Sequence, residues 1–337
     1  MKKYTIFIFY IGLSLLFLSN CAPSIHPKVR KYNSMTVIDV HNHDAAGLRY
    51  EKSSKIWNYF GIDKIVLFGA ISEPAAVKTD EQAWAAYLSD PQKYFPFFAG
   101  FDIHDPDSLE IIERNFEKGY FGIGEFVAAS AYSPVTSKLP WKGNHATDGC
   151  FPEVYELCEK YRAPILLHID PPDRYQMEKL GEALSGHPNT DIIFAHANAY
   201  NTPANIERLL QLHENIYIDF FAGFTAYNKE SRFGLSDYAP LIEKYPGRFL
   251  ISSDSGYGVG YEKAYSAVYE LFELLDKNTV EQIAYKNFSR LMEKQPATKS
   301  QKKRIKKISE NLGITVQMIN LNKRQANEWL IENSNDS

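Results

Sequence analysis

Three cysteines in 337 residues are too few for a disulfide framework. Cys150 and Cys158 read as small, buried or half-buried residues, with a local disulfide as the alternative. No glycine-rich dinucleotide or phosphate-loop fingerprint follows the first strand-like run, which argues against nucleotide chemistry. Charge of one sign is not in excess either. A net charge of −4 and a pI near 6.2 speak against nucleic acid as a main partner. Tyr4 to Leu18 is a nearly continuous apolar run, but at 15 residues it is short for a membrane span.

That length suits the apolar part of a signal peptide, and Lys2 and Lys3 supply its charged start. Leu18-Ser19-Asn20-Cys21 resembles a bacterial lipobox, with Asn20 departing from the usual small residue. The resemblance implies a signal peptide over residues 1–20, lipidation of Cys21, and a location at the cell envelope with a soluble body. Residues 21–34 then read as a polar tether containing Pro23 and Pro27.

What the chain does have is apolar content, 45%, enough for a large core. Eight short runs rich in Ile, Val, Leu and Phe read as strands buried on both faces. They are Thr36–His41, Lys64–Phe68, Phe95–Phe101, Gly122–Phe126, Ile165–Ile169, Ile192–His196, Ile216–Phe220 and Phe249–Ser253. Helix signals lie between them. Asp107–Lys118 opens on Asp-Ser and closes on Gly119, and Pro203–His213 has Pro at its first position; Phe151–Tyr161 precedes the fifth strand, and Glu262–Asp276 carries an apolar stripe. Alternation of this kind implies right-handed β/α units, and eight of them predict an α/β (β/α)₈ TIM barrel over residues 35–296. A basic tail, 297–337, is expected to add helices at Ser300–Leu312 and Lys323–Asn333. Its lysines read as a solvated face on a docked helix, or as a contact for anionic lipid headgroups.

Six residues stand at or just past the ends of these strands: His41, His43, Glu125, His168, His196 and Asp254. Residues i and i+2 of a strand point the same way, so His41 and His43 can share one ion. The later steps place the others after strands 4, 5, 6 and 8, at one barrel mouth. Any single one could be a satisfied buried polar group. Six together predict a site for one or two divalent ions, zinc foremost.

These residues resemble the amidohydrolase superfamily, particularly the branch of aminocarboxymuconate semialdehyde decarboxylase and small-lactone hydrolases. The resemblance covers roughly Met35 to Pro296. It implies that His41, His43, His168 and Asp254 hold the principal ion, that His196 is a catalytic or second-metal histidine, and that Asp254 moves a proton. Gly122-Ile123-Gly124-Glu125 is closer to the TatD-type branch, in which such a glutamate bridges two metals. A carboxylate that orients a ligand histidine is the other reading of Glu125.

The expected reaction is hydrolysis of a small-molecule C–O or C–N bond, as in a lactone, ester or amide. Two rivals are non-oxidative decarboxylation of an unsaturated or aromatic acid, and a ligand-binding barrel without turnover. His104, Trp141 and Arg174 are candidates for touching substrate. The long connection after strand 4, Ala128–Gly149, is a candidate wall of the site, and Phe220–Phe224 a candidate aromatic wall. The expected partner is a small molecule rather than nucleic acid, and the 14% aromatic content permits a homodimer.

Overall fold

The computed structural model describes residues 25–317 and 319–333. The expected signal peptide and lipobox, with Cys21, lie outside them. The eight expected strands all form: β1 (Ile38–Asn42), β2 (Lys64–Leu67), β3 (Tyr94–Phe98), β4 (Gly122–Ser130), β5 (Ile165–Asp170), β6 (Ile192–Phe194), β7 (Ile216–Phe221) and β8 (Phe249–Ser252). Each pairs in parallel with the next, in the order β1 to β8. Side chains along nearly every strand are buried, because helices cover the sheet outside and packed side chains fill it inside.

β8 returns to β1 through a buried carboxylate. Asp39 accepts from the Ser253 backbone N–H at 3.0 Å and from Ser253 Oγ at 2.6 Å, and from Tyr265 Oη at 2.9 Å. An acid with so many donors needs no counter-cation of its own. Cys150 and Cys158 are free thiols, the latter buried. No helix among the described residues is long and apolar enough to cross a membrane.

Two segments cover the barrel end from which the strands start. The first belongs to the expected tether, part of which is docked. Pro27–Lys31 forms a short 3₁₀ turn, Val29 is buried, and His26 stacks on Phe60 at 4.7 Å. Burying Val29 and the imidazole face stabilises this stretch against the barrel. The second is the tail. Its helices, Lys299–Leu312 and Lys323–Asn333, share a small core of Ala297, Ile305, Ile308, Ala326 and Leu330. Thr298 and Gln301 cap the first of them reciprocally.

Lys323 anchors the tail. It is fully buried, donates from Nζ to the Tyr120 carbonyl at 2.9 Å, and lies over the Phe116 ring at 5.2 Å. Burial pulls its pKa from 10.5 down to about 7. Between about 7 and 10.5 the unfolded chain holds a proton that the folded chain has released, so this group makes stability rise with pH across that window. Below about 7 both states are protonated, and the cost of the buried charge is present in full. Lys323→Met is expected to flatten that rise. Urea melts of wild type and variant at pH 7 and pH 9 check it. Parallel gains in both proteins would contradict it.

Candidate metal centre

All six expected ligands meet at the mouth formed by the strand C-termini, and Glu125 sits between two groups of them. Its Oε2 faces His41 Nε2 at 3.6 Å and His43 Nε2 at 3.4 Å. Its Oε1 faces His168 Nδ1 and His196 Nε2, each at 3.0 Å. Asp254 Oδ1 closes the first group, 3.5 Å from both His41 Nε2 and His43 Nε2. His168 therefore stands with His196, not in the principal set with His41 and His43. The residue beside Glu125 explains how the carboxylate reaches the axis. Gly124 has φ +142°, and a Cβ there would lie 2.6 Å from Leu166 Cβ.

The ring nitrogens show that this donor set fits cations. His41 Nδ1 is 2.7 Å from Asp219 Oδ2, and His43 Nδ1 donates to the Gly69 carbonyl at 2.8 Å. Those acceptors fix the proton on Nδ1, so in the neutral rings both Nε2 lone pairs point inward. Yet the two Nε2 atoms are only 3.1 Å apart. His168 Nδ1 and His196 Nε2 face each other at 3.0 Å, with His168 Nε2 held by Asp170 Oδ2 at 2.5 Å. Lone pairs that close require shared positive charge, from protons or from metal. His41, His43 and Glu125 form one group of mutually close donors, and Glu125, His168 and His196 a second. These five residues form a metal site, and Glu125 belongs to both halves.

Burial and charge act against each other here. Burial pulls the His43 imidazolium down, but Asp254 and Glu125 outweigh it and leave the group at about 9. His168 ends at about 9 as well, lifted against burial by Asp170 and Glu125. Burial lifts the Glu125 carboxyl, and His41, His168 and His196 more than reverse this, holding it well below the usual range. Asp254 is held low by His41 and His43 against the same opposing cost of burial. Protons and metal compete for the same nitrogens, so cation uptake releases protons.

Backbone strain marks two of the six residues. His196 has φ +32° and Asp254 φ +45°, a region that costs a non-glycine residue on the order of 1 kcal/mol or more. Asp219 helps hold the first of these turns, accepting the His196 backbone N–H at 3.0 Å.

Above the centre lies a cavity of about 610 Å³. Ile71, Val135, Leu139, Tyr200, Phe221 and Phe224 give it apolar walls, and His43, Glu125, His168, His196 and Asp254 reach it from below. The connection after β4 does wall the site, through Ser133, Val135, Thr136 and Leu139. The three individual substrate candidates do not line the cavity. His104 turns toward Asp148 at 3.8 Å, Trp141 is half-buried beside Ser72, and Arg174 pairs with Glu178 on the surface. Arg49, in the connection after β1, lines it instead and is tied to Asp44 at 3.2 Å and to the His43 carbonyl at 3.0 Å.

Asp170 and Asp219 were not among the expected site residues. Asp170 closes β5 two residues after His168, in ILLHID, and Asp219 is the one acid inside the apolar run IYIDFF.

The amidohydrolase family model matches residues 60–287, which is most of the barrel. The chain belongs to the amidohydrolase family. No curated protein matches the sequence. Solved structures match this amidohydrolase at low identity. A 2,6-dihydroxybenzoate decarboxylase from Rhizobium is 15% identical with a TM-score of 0.52, covering 76% of this chain and 98% of that one. A probable 2-pyrone-4,6-dicarboxylic acid hydrolase from Acinetobacter baumannii, with citric acid bound, is 13% identical with a TM-score of 0.52, covering 76% and 99%. An amidohydrolase from Burkholderia multivorans with bound zinc is 11% identical with a TM-score of 0.52, covering 76% and 98%. These likenesses show the same fold.

Proposed function

We propose that this amidohydrolase is a two-ion hydrolase of a small-molecule C–O or C–N bond, a lactone, ester or amide. The observation that carries this reading is the division of Glu125, with one carboxylate oxygen toward each half of the centre. Two divalent ions held by these residues would acidify water and polarise the substrate carbonyl. The nitrogen and oxygen donors suit zinc, and a zinc ion is bound in the Burkholderia relative.

The chain's own groups supply the rest. Asp254 is held ionised and its side chain is 13% exposed, so its free oxygen can accept a proton from attacking water and return it to the leaving group. His196, with His168 and Glu125, would hold the second ion at the cavity floor, and that ion would stabilise the developing oxyanion. The apolar walls displace solvent from the reacting bond and favour substrates with hydrocarbon or aryl bodies.

The test is a screen of the zinc-loaded full chain against aryl and alkyl lactones, esters and amides, with hydroxylated benzoates and unsaturated acids in parallel. Acid products from the first group, without CO₂ from the second, are expected. CO₂ release with no hydrolysis would assign the site to decarboxylation. Ligand binding without any turnover would assign it to a binding barrel.

A further inference from the structure

We propose that the end of the barrel opposite the metal centre is a membrane-facing surface, on which the basic tail helix lies against anionic lipid with Ile314 and Ile319 entering the headgroup layer. The helix Lys299–Leu312 buries Gln301, Ile305, Ile308 and Ser309 against the protein. The opposite face carries Lys299, Lys302, Lys303, Lys306 and Lys307, all exposed, with exposed Arg304 at its edge. At 100° per residue those five lysines span well under half the circumference, so the charge is concentrated rather than scattered. Only Lys306 has an acidic neighbour on the helix, Glu310 at 3.9 Å.

The chain that leaves this helix exposes two aliphatic side chains: Ile314 at 45% and Ile319 at 86%. Isolated surface leucines need no explanation, but a basic stripe followed at once by aliphatic side chains is the composition of an interfacial lipid-binding element. Long lysine stems can lie along the bilayer surface while their ammonium groups reach phosphate.

Placement supplies the second argument. The tail docks on a connection that leads into the strands, with Asn327 and Lys323 donating to the carbonyls of Gly119 and Tyr120. The N-terminal segment docks at the same end, with the His26 N–H on the Tyr59 carbonyl at 2.8 Å and Lys28 and Lys31 paired with Glu270 and Glu273. Ile25 is four residues from Cys21, a reach of at most ~14 Å in extended chain. A lipid anchor on Cys21 would therefore bring this end of the barrel to the bilayer, and leave the mouth of the metal centre facing away. Charge complementarity favours an anionic leaflet, where each lysine near the surface adds attraction that salt screens.

The test is co-sedimentation of the full chain with vesicles of phosphatidylcholine alone, and of phosphatidylcholine with about one-quarter phosphatidylglycerol. Any binding by the apolar leader is common to both. The wild type is expected to favour the anionic vesicles at least ~10-fold at low salt. The combined variant Lys302→Gln, Lys303→Gln, Lys306→Gln, Lys307→Gln is expected to lose that preference. Ile314→Ser and Ile319→Ser together should weaken binding to both lipids. All six side chains are exposed, so melting curves and metal content should not change, and each is measured alongside. Equal partition of the wild type between the two vesicles, or an unchanged preference in the lysine variant, would overturn the proposal. So would tighter binding to duplex DNA than to anionic vesicles at the same salt, which would make the patch a nucleic-acid contact.

Discussion

Replacing Asp254 by Asn is expected to lower kcat by about 10²- to 10⁴-fold while leaving the protein folded. Asn keeps the size of the side chain and one carbonyl oxygen, but it can neither take a proton from water nor hand one on. The backbone does not add to the effect. Asp254 has φ +45°, and Asn tolerates the left-handed region about as well as Asp, so the turn after β8 should survive. Asp254 Oδ1 lies 3.5 Å from His41 Nε2 and His43 Nε2, so some weakening of the first ion site is also expected. Metal is therefore quantified with the rate. A variant loaded with as much metal as wild type that still turns over within about threefold would remove Asp254 from the proton-transfer role.

The second large effect is expected one layer out, at Asp219. This fully buried carboxylate touches no substrate. Its Oδ2 accepts both His41 Nδ1 at 2.7 Å and the His196 backbone N–H at 3.0 Å, so it orients one histidine in each half of the centre. Removing such a partner typically costs 10- to 100-fold in metal affinity. Asp219→Asn keeps an oxygen in place but loses its charge, and should weaken metal binding about 10-fold. Asp219→Ala removes the acceptor altogether, frees the His41 ring to change tautomer, and should cost about 100-fold. Competition with a chelator of known affinity measures both. Three equal affinities would show that Asp219 is only packing.

Burial on two faces is why the barrel could be read from the sequence. A strand covered outside by helices and inside by packed side chains carries Ile, Val, Leu and Phe without alternation, and all eight runs do so. Where that pattern weakened, the boundary slipped. β4 continues through Val127-Ala128-Ala129 to Ser130, small residues that look like the start of a loop. The ligands were legible because a strand end is a fixed address at the mouth. The tail helix starts at Lys323 as expected, where the Asn322 side chain accepts the Gln325 backbone N–H at 2.8 Å.

Loop direction had no such address. His104, Trp141 and Arg174 follow strands 3, 4 and 5, as substrate residues do, but their connections fold them away from the cavity. Arg49 arrives there through a turn whose path depends on contacts with Asp44 and His43. The stretch before β1 looked like a tether because its docking contacts have no periodic pattern: Val29 is buried, His26 stacks on Phe60, and Lys28 and Lys31 pair with Glu270 and Glu273.

The central claim is that Glu125 joins two ion sites. It is tested most directly by metal content per chain, measured by mass spectrometry on the zinc-loaded full chain, for wild type and Glu125→Gln. Glutamine offers a single ligand oxygen and an amide nitrogen that cannot bind a cation. Two ions per chain in wild type, falling to one or none in the variant, is the expected result. One ion in wild type, unchanged in Glu125→Gln, would contradict the bridge and the two-ion hydrolysis built on it.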